Sequence, residues 1–117
     1  MAAPNIVNVS TITGKTAVQA VGTSATAIVT NSAASGKVFK INALYVSNVD
    51  GTANAEVTLD LFRSSTAYRL ANTIVVPADA TLDVISKAIY LEEGDSLRLT
   101  ANETGDLEAV CSYEEIS

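Results

Sequence analysis

Histidine and tryptophan are absent from this 117-residue chain, and there is one cysteine. With no histidine and a single thiol, neither a Ser-His nor a Cys-His catalytic constellation can be assembled. Aromatic residues make up only 5% of the chain, so no sugar-stacking platform or carboxylate-lined cleft stands out. The lone Cys111 rules out an intrachain disulfide, and its place on an apolar strand face makes it a small core residue rather than a reactive one. Cations are scarce: 7 Lys and Arg stand against 13 Asp and Glu, a formal charge of −6. Phosphate backbones need a cationic footprint, so nucleic acid is not an expected partner. No run approaches the roughly 18 apolar residues of a membrane span, so no membrane is expected either. Met1 to Asn5 lacks the basic start and following apolar block of a secretory signal, which implies synthesis and assembly in a reducing cytoplasm.

What the chain does contain is aliphatic. Hydrophobic residues reach 48%, supplied mainly by Val, Ile, Leu and Ala, and their β-branched members suit strands. The length fits one domain with a two-layer core. From Ile89 to Tyr113 the pattern is strand, turn, strand, turn, strand. Ile89-Tyr90-Leu91 meets Glu92-Glu93-Gly94-Asp95, and Ser96 to Thr100 meets Asn102 to Asp106. Leu107, Ala109, Cys111 and Tyr113 then alternate with Glu108, Ser112 and Glu114, with Val110 as the one exception. Period-2 alternation of this kind marks antiparallel strands with one buried face.

Upstream, Lys37 to Val49 reads as the longest strand and Ala55 to Phe62 as its hairpin partner across Asp50-Gly51. Shorter strands are expected at Ala67 to Leu70, Thr73 to Val76 and Thr81 to Ile85, and β-prone runs lie at Ile6 to Thr13, Ala17 to Val21 and Thr26 to Thr30. The expected core is Phe39, Ile41, Tyr45, Val57, Leu59, Leu61, Ile74, Val76, Leu82, Val84, Leu97, Leu99, Leu107, Ala109 and Cys111. Residues 1–36 are mixtures of small residues with no acidic side chain, expected as an N-terminal arm or edge strands, and 37–117 as the sandwich core, one domain overall. The fold class is therefore all-β: an antiparallel β-sandwich, jelly-roll-like, without substantial helix.

Three motifs suggest chemistry and do not carry it. Gly14-Lys15-Thr16 resembles the end of a phosphate-binding loop, but that loop needs a glycine where Val9 stands and a helix where Ala17 to Val21 read as strand. Glu92-Glu93-Gly94-Asp95 offers carboxylates to a hard cation, yet a β-turn rarely gathers the roughly six oxygen ligands required. Asn8-Val9-Ser10 and Asn102-Glu103-Thr104 match the glycosylation triplet, matches expected to be chance without a secretory signal. No catalytic, cofactor or metal residues are assigned, and the chain is not expected to be an enzyme.

A resemblance takes the reading further. Ala2 to Val9, Ser35 to Asn42, Val46 to Thr52, Tyr90 to Leu97 and Ser112 to Ile116 are similar to segments of small virion structural proteins of tailed phages, especially contractile-tailed phages of marine cyanobacteria. The resemblance implies a β-sandwich component of the virion, assembled in the host cytoplasm. The favoured role is a capsid decoration protein bound to the major capsid protein on the particle exterior. A neck, tail or fibre accessory, or a small carbohydrate-binding β-module, stands as the alternative. Leu91 to Leu97 is also similar to a segment of trimeric jelly-roll domains, which implies a homo-oligomer, most simply a trimer.

Overall fold

Nine strands supply the regular structure of the computed structural model, which describes residues 4–117 and shows no helix among them. They are β1 (Ile12–Ala20), β2 (Thr26–Thr30), β3 (Val38–Asn48), β4 (Ala55–Arg63), β5 (Thr66–Val76), β6 (Thr81–Asp83), β7 (Ile89–Leu91), β8 (Ser96–Ala101) and β9 (Leu107–Ile116). One sheet runs β1-β9-β3-β6, with β7 also paired to β3; the other runs β2-β8-β4-β5. Every pairing is antiparallel. β6 lies against Tyr45 to Ser47 and β7 against Phe39 to Ile41, so the two short pieces form one interrupted edge. The chain crosses between sheets after nearly every strand, and only β4 and β5 are neighbours both in sequence and in a sheet. This is a jelly-roll-like β-sandwich, and its 19 Å short dimension is that of two stacked layers.

The core forms where inward positions from the two sheets meet. From the first sheet come Ile41, Leu44, Val46, Leu91, Leu107, Ala109 and Cys111; from the second, Val57, Leu59, Val76, Leu97 and Leu99. β9 buries Leu107, Ala109 and Cys111 while exposing Glu108 and Val110, as its alternation requires. Val21 and Val29 add to the core from the chain's first third.

Four expectations are corrected. Tyr45 is exposed, because a β-bulge places Asn42 as an extra residue between the pairs Ile41–Tyr113 and Ala43–Ser112. The phase of β3 flips there, so Leu44 and Val46 point inward in its second half. Ile74 is partly exposed, since β5 carries two register shifts against β4 and lies at the sheet edge. β5 is also one eleven-residue strand rather than two short ones. Finally, β3 and β4 do not form a hairpin. Asp50-Gly51 turns the chain, but into the opposite sheet, and buried Asn48 holds that crossing by donating from Nδ2 to the carbonyls of Ala53 (2.9 Å) and Val76 (3.0 Å).

The other end of the sandwich has a matching device. Buried Asn31 donates from Nδ2 to the carbonyls of Lys37 and Leu91 and accepts from Ser35 Oγ at 2.6 Å. Its backbone also bonds Gly94 and Asp95, so the β2–β3 and β7–β8 connections are tied together. Two fully satisfied amides thus fix the places where strands change sheet.

Candidate functional site

The charged residues of the motifs that suggested chemistry are engaged in structural contacts. Gly14-Lys15-Thr16 lies within β1, and Lys15 Nζ sits 2.9 Å from Glu115, which Lys37 also approaches at 3.1 Å. The Lys15 hydrogen bond, with help from Lys37, outweighs partial burial and holds the Glu115 carboxyl below the usual carboxylate range.

In the acidic turn, Asp95 is buried and accepts from Arg63 Nε (2.7 Å) and Nη2 (2.6 Å) and from the Glu92 amide (2.7 Å). Burial alone would raise its pKa, but the guanidinium and the amide win and hold it low. Its oxygens are taken, so the turn is a clamp between β4 and the β7–β8 connection. No three metal-ligating side chains gather among the described residues. Gly94 supplies the left-handed backbone this turn needs, at φ 90°.

Asp60, also buried, accepts from Arg98 Nε at 2.9 Å, and the Arg98 guanidinium lies 3.9 Å above the Phe62 ring. Cys111 is enclosed, and burial pushes its thiol up to about 11, so the nucleophilic thiolate is disfavoured. Asn102 accepts from the Glu56 amide, a structural contact at its triplet.

What remains for function is surface. On the outer face of the first sheet, the registers Val18–Val110 and Tyr45–Val110 line three large side chains across β1, β9 and β3. They are 75%, 42% and 46% exposed. Around them lie Thr16, Ser112, Ala43, Ala20, Glu108 and Ser47, so the apolar row has a small and polar rim. The outer face of the second sheet is different in kind, carrying Glu56, Thr58, Asp60, Arg98 and Thr100. On β5, Tyr68, Leu70, Ile74 and Val75 are also exposed large apolar side chains. The opposite flank is bridged by Gln19, whose Nε2 donates to the Ala27 carbonyl at 3.1 Å. Sequence reading assigned Tyr45 to the core and so missed the row. Its one legible sign was Val110, the apolar residue breaking the β9 alternation.

No family model and no curated protein matches the sequence. Among solved structures, the chain is similar to a subunit of Bacillus endospore appendages, described as disulfide-linked pili. The two are 16% identical with a TM-score of 0.54, over 92% of this chain and 88% of that one. The likeness is one of fold. A pentameric capsid protein isolated from metagenomic phage sequences gives 18% identity and a TM-score of 0.43, over 86% of this chain and 60% of that one.

Proposed function

We propose that the chain is a non-enzymatic structural subunit of a phage virion, most simply a decoration protein that binds the major capsid protein on the particle exterior as a homo-oligomer. The observation that carries this reading is the contrast between interior and surface. Buried Asp95, Asp60, Asn31 and Asn48 are all consumed in holding the sandwich, while the outer face of the first sheet presents an apolar row with a polar rim, the anatomy of a contact surface. The segmental resemblance to virion proteins of tailed phages supports the particle assignment, and the fold it shares with a pilus subunit agrees with a role in repeated assembly. Disulfide linkage does not carry over, because Cys111 is enclosed.

Residues 1–36 contribute the edge strands β1 and β2, preceded by a segment in which Ile6 and Val7 are exposed and suited to lie against a neighbour. Three-fold assembly is supported by the resemblance of Leu91 to Leu97. Exposed Tyr45, Tyr68 and Tyr90 favour a carbohydrate-binding module as the second reading. Mass spectrometry of purified particles tests the first: the protein is expected in stoichiometric amounts, and its absence would overturn the virion role. Glycan-array binding by the isolated chain would instead support the second.

A further inference from the structure

The two sheets have four edges, and three carry features that discourage further pairing. β2 is five residues long with a register shift, β5 is bulged twice, and β6 and β7 are three residues each. Short, bulged or broken edges resist strand addition. β1 is the exception. It runs nine residues in unbroken register with β9, and it contains no proline and one charge, Lys15, already compensated by Glu115.

The direction of its free groups follows from its hydrogen bonds. Thr11 and Ser117 exchange N–H···O bonds at 2.9 Å, and the Val21 amide donates to Leu107 at 2.9 Å. Bonded pairs alternate in an antiparallel ladder, so odd-numbered residues of β1 face β9 and the N–H and C=O of Ile12, Gly14, Thr16, Val18 and Ala20 face outward. Among the described residues, no other strand pairs with that edge.

We infer that β1 pairs antiparallel with β1 of a second copy about a two-fold axis at Thr16. This register sets Thr16 against Thr16, Gly14 against Val18 and Ile12 against Ala20, so every outward donor and acceptor of one strand meets its counterpart on the other. The side chains agree with the backbone. Even-numbered residues share the outer face with Val110, so each large side chain meets a small one, Val18 over Gly14 and Ile12 over Ala20. Nothing lies within 4 Å of the position a Gly14 Cβ would take, which leaves room for the partner's valine. Lys15 falls opposite Ala17, away from any like charge. The row Tyr45–Val110–Val18 then ends on the partner's Gly14, beyond which lie the partner's Glu114 and the partner's Lys40, and the two first sheets become one. Being isologous, the contact makes dimers by itself and links trimers wherever a three-fold contact forms elsewhere on the molecule.

This deepens the self-assembly part of the proposed function and is tested apart from it, on the isolated full chain in solution. Sedimentation equilibrium is expected to show a concentration-dependent dimer. Thr16→Pro, tolerated where an edge N–H faces solvent, should keep the wild-type circular dichroism and weaken association roughly 30-fold through loss of the two central bonds. Thr16→Cys tests the same register without proline. Paired Cα atoms about 5.5 Å apart suit a disulfide, so mild oxidation should link the copies quickly. Thr13→Cys, opposite Gln19, should link far more slowly. A wild-type chain monomeric to about 1 mM, about −4 kcal/mol of standard association free energy, would overturn the inference. So would wild-type association by a folded Thr16→Pro variant, or equal linking by the two cysteine variants. Absence from particles would remove the virion role and leave the contact standing, whereas a monomeric chain that still decorates capsids would do the reverse.

Discussion

Replacing Arg63 by methionine should do more than destabilise the protein: it should reverse the effect of pH at one carboxylate. Asp95 is 1% exposed and accepts three hydrogen bonds, two of them from Arg63. Without the guanidinium, a buried negative charge keeps only the Glu92 amide. Breaking a buried ion pair from one side costs about 3–5 kcal/mol, and the lower end applies because the Arg63 side chain is 42% exposed. A loss of about 3 kcal/mol corresponds to a fall in Tm of about 12 °C for a domain of this size.

The sign of the pH effect follows from the same geometry. In the wild type the Asp95 pKa is lowered, so its contribution is fully present above the unfolded-chain value of about 4 and is lost as pH falls through the folded-state value. In Arg63→Met, burial faces less opposition and the folded carboxyl rises above the unfolded one. The native state then binds more protons than the unfolded state, and this group's contribution falls as pH climbs from about 4 to about 7. Glu115, depressed mainly by Lys15, adds the same background slope to both proteins, so the comparison is between slopes. Urea unfolding of wild type, Arg63→Met, Asp95→Leu and the double variant at both pH values completes a cycle. The double variant should recover to within about 2 kcal/mol of wild type, because no unpaired charge remains buried. A loss below about 0.5 kcal/mol for Arg63→Met, or an unchanged pH slope, would refute the clamp.

The β4–β5 turn places Ser64 and Ser65 at φ 52° and 60°, a conformation that favours Asn-Gly; Ser64→Asn with Ser65→Gly should therefore raise stability by about 1 kcal/mol in thermal unfolding, and a loss would contradict the turn geometry. The phase of β3 predicts that Leu44→Ala costs about 2–5 kcal/mol and Tyr45→Ala less than about 1 kcal/mol in urea unfolding, with the reverse order expected if the strand kept one phase throughout.

Sequence reading succeeded where strands obey a local rule. The alternation in β9 and the apolar periods of β4 and β8 name their inward residues correctly, and the β-branched composition with its turn signals leads to an antiparallel sandwich. It failed where the deciding partner is distant. Nothing in Lys40-Ile41-Asn42-Ala43 announces a bulge, because the extra residue exists only relative to β9. Asp50-Gly51 has the chemistry of a turn, but which sheet the chain enters next depends on Asn48 reaching Ala53 and Val76. The acidic turn was legible as structure, yet its partner Arg63 lies 32 positions away and left no local sign.

Because nearly every strand pairs with one far away in the chain, the order in which the ribosome delivers the strands matters. β1 meets only β9 in its sheet, and Thr11 and Ser117, which close that pairing, are 106 positions apart. At about 5–20 residues per second, β1 is synthesised of the order of 5–20 s before its partner. Its open edge is therefore not part of a sheet until β9 has been made. The β1–β1 pairing inferred above would then be open only to chains that have already made β9, which keeps shorter nascent chains on neighbouring ribosomes out of it.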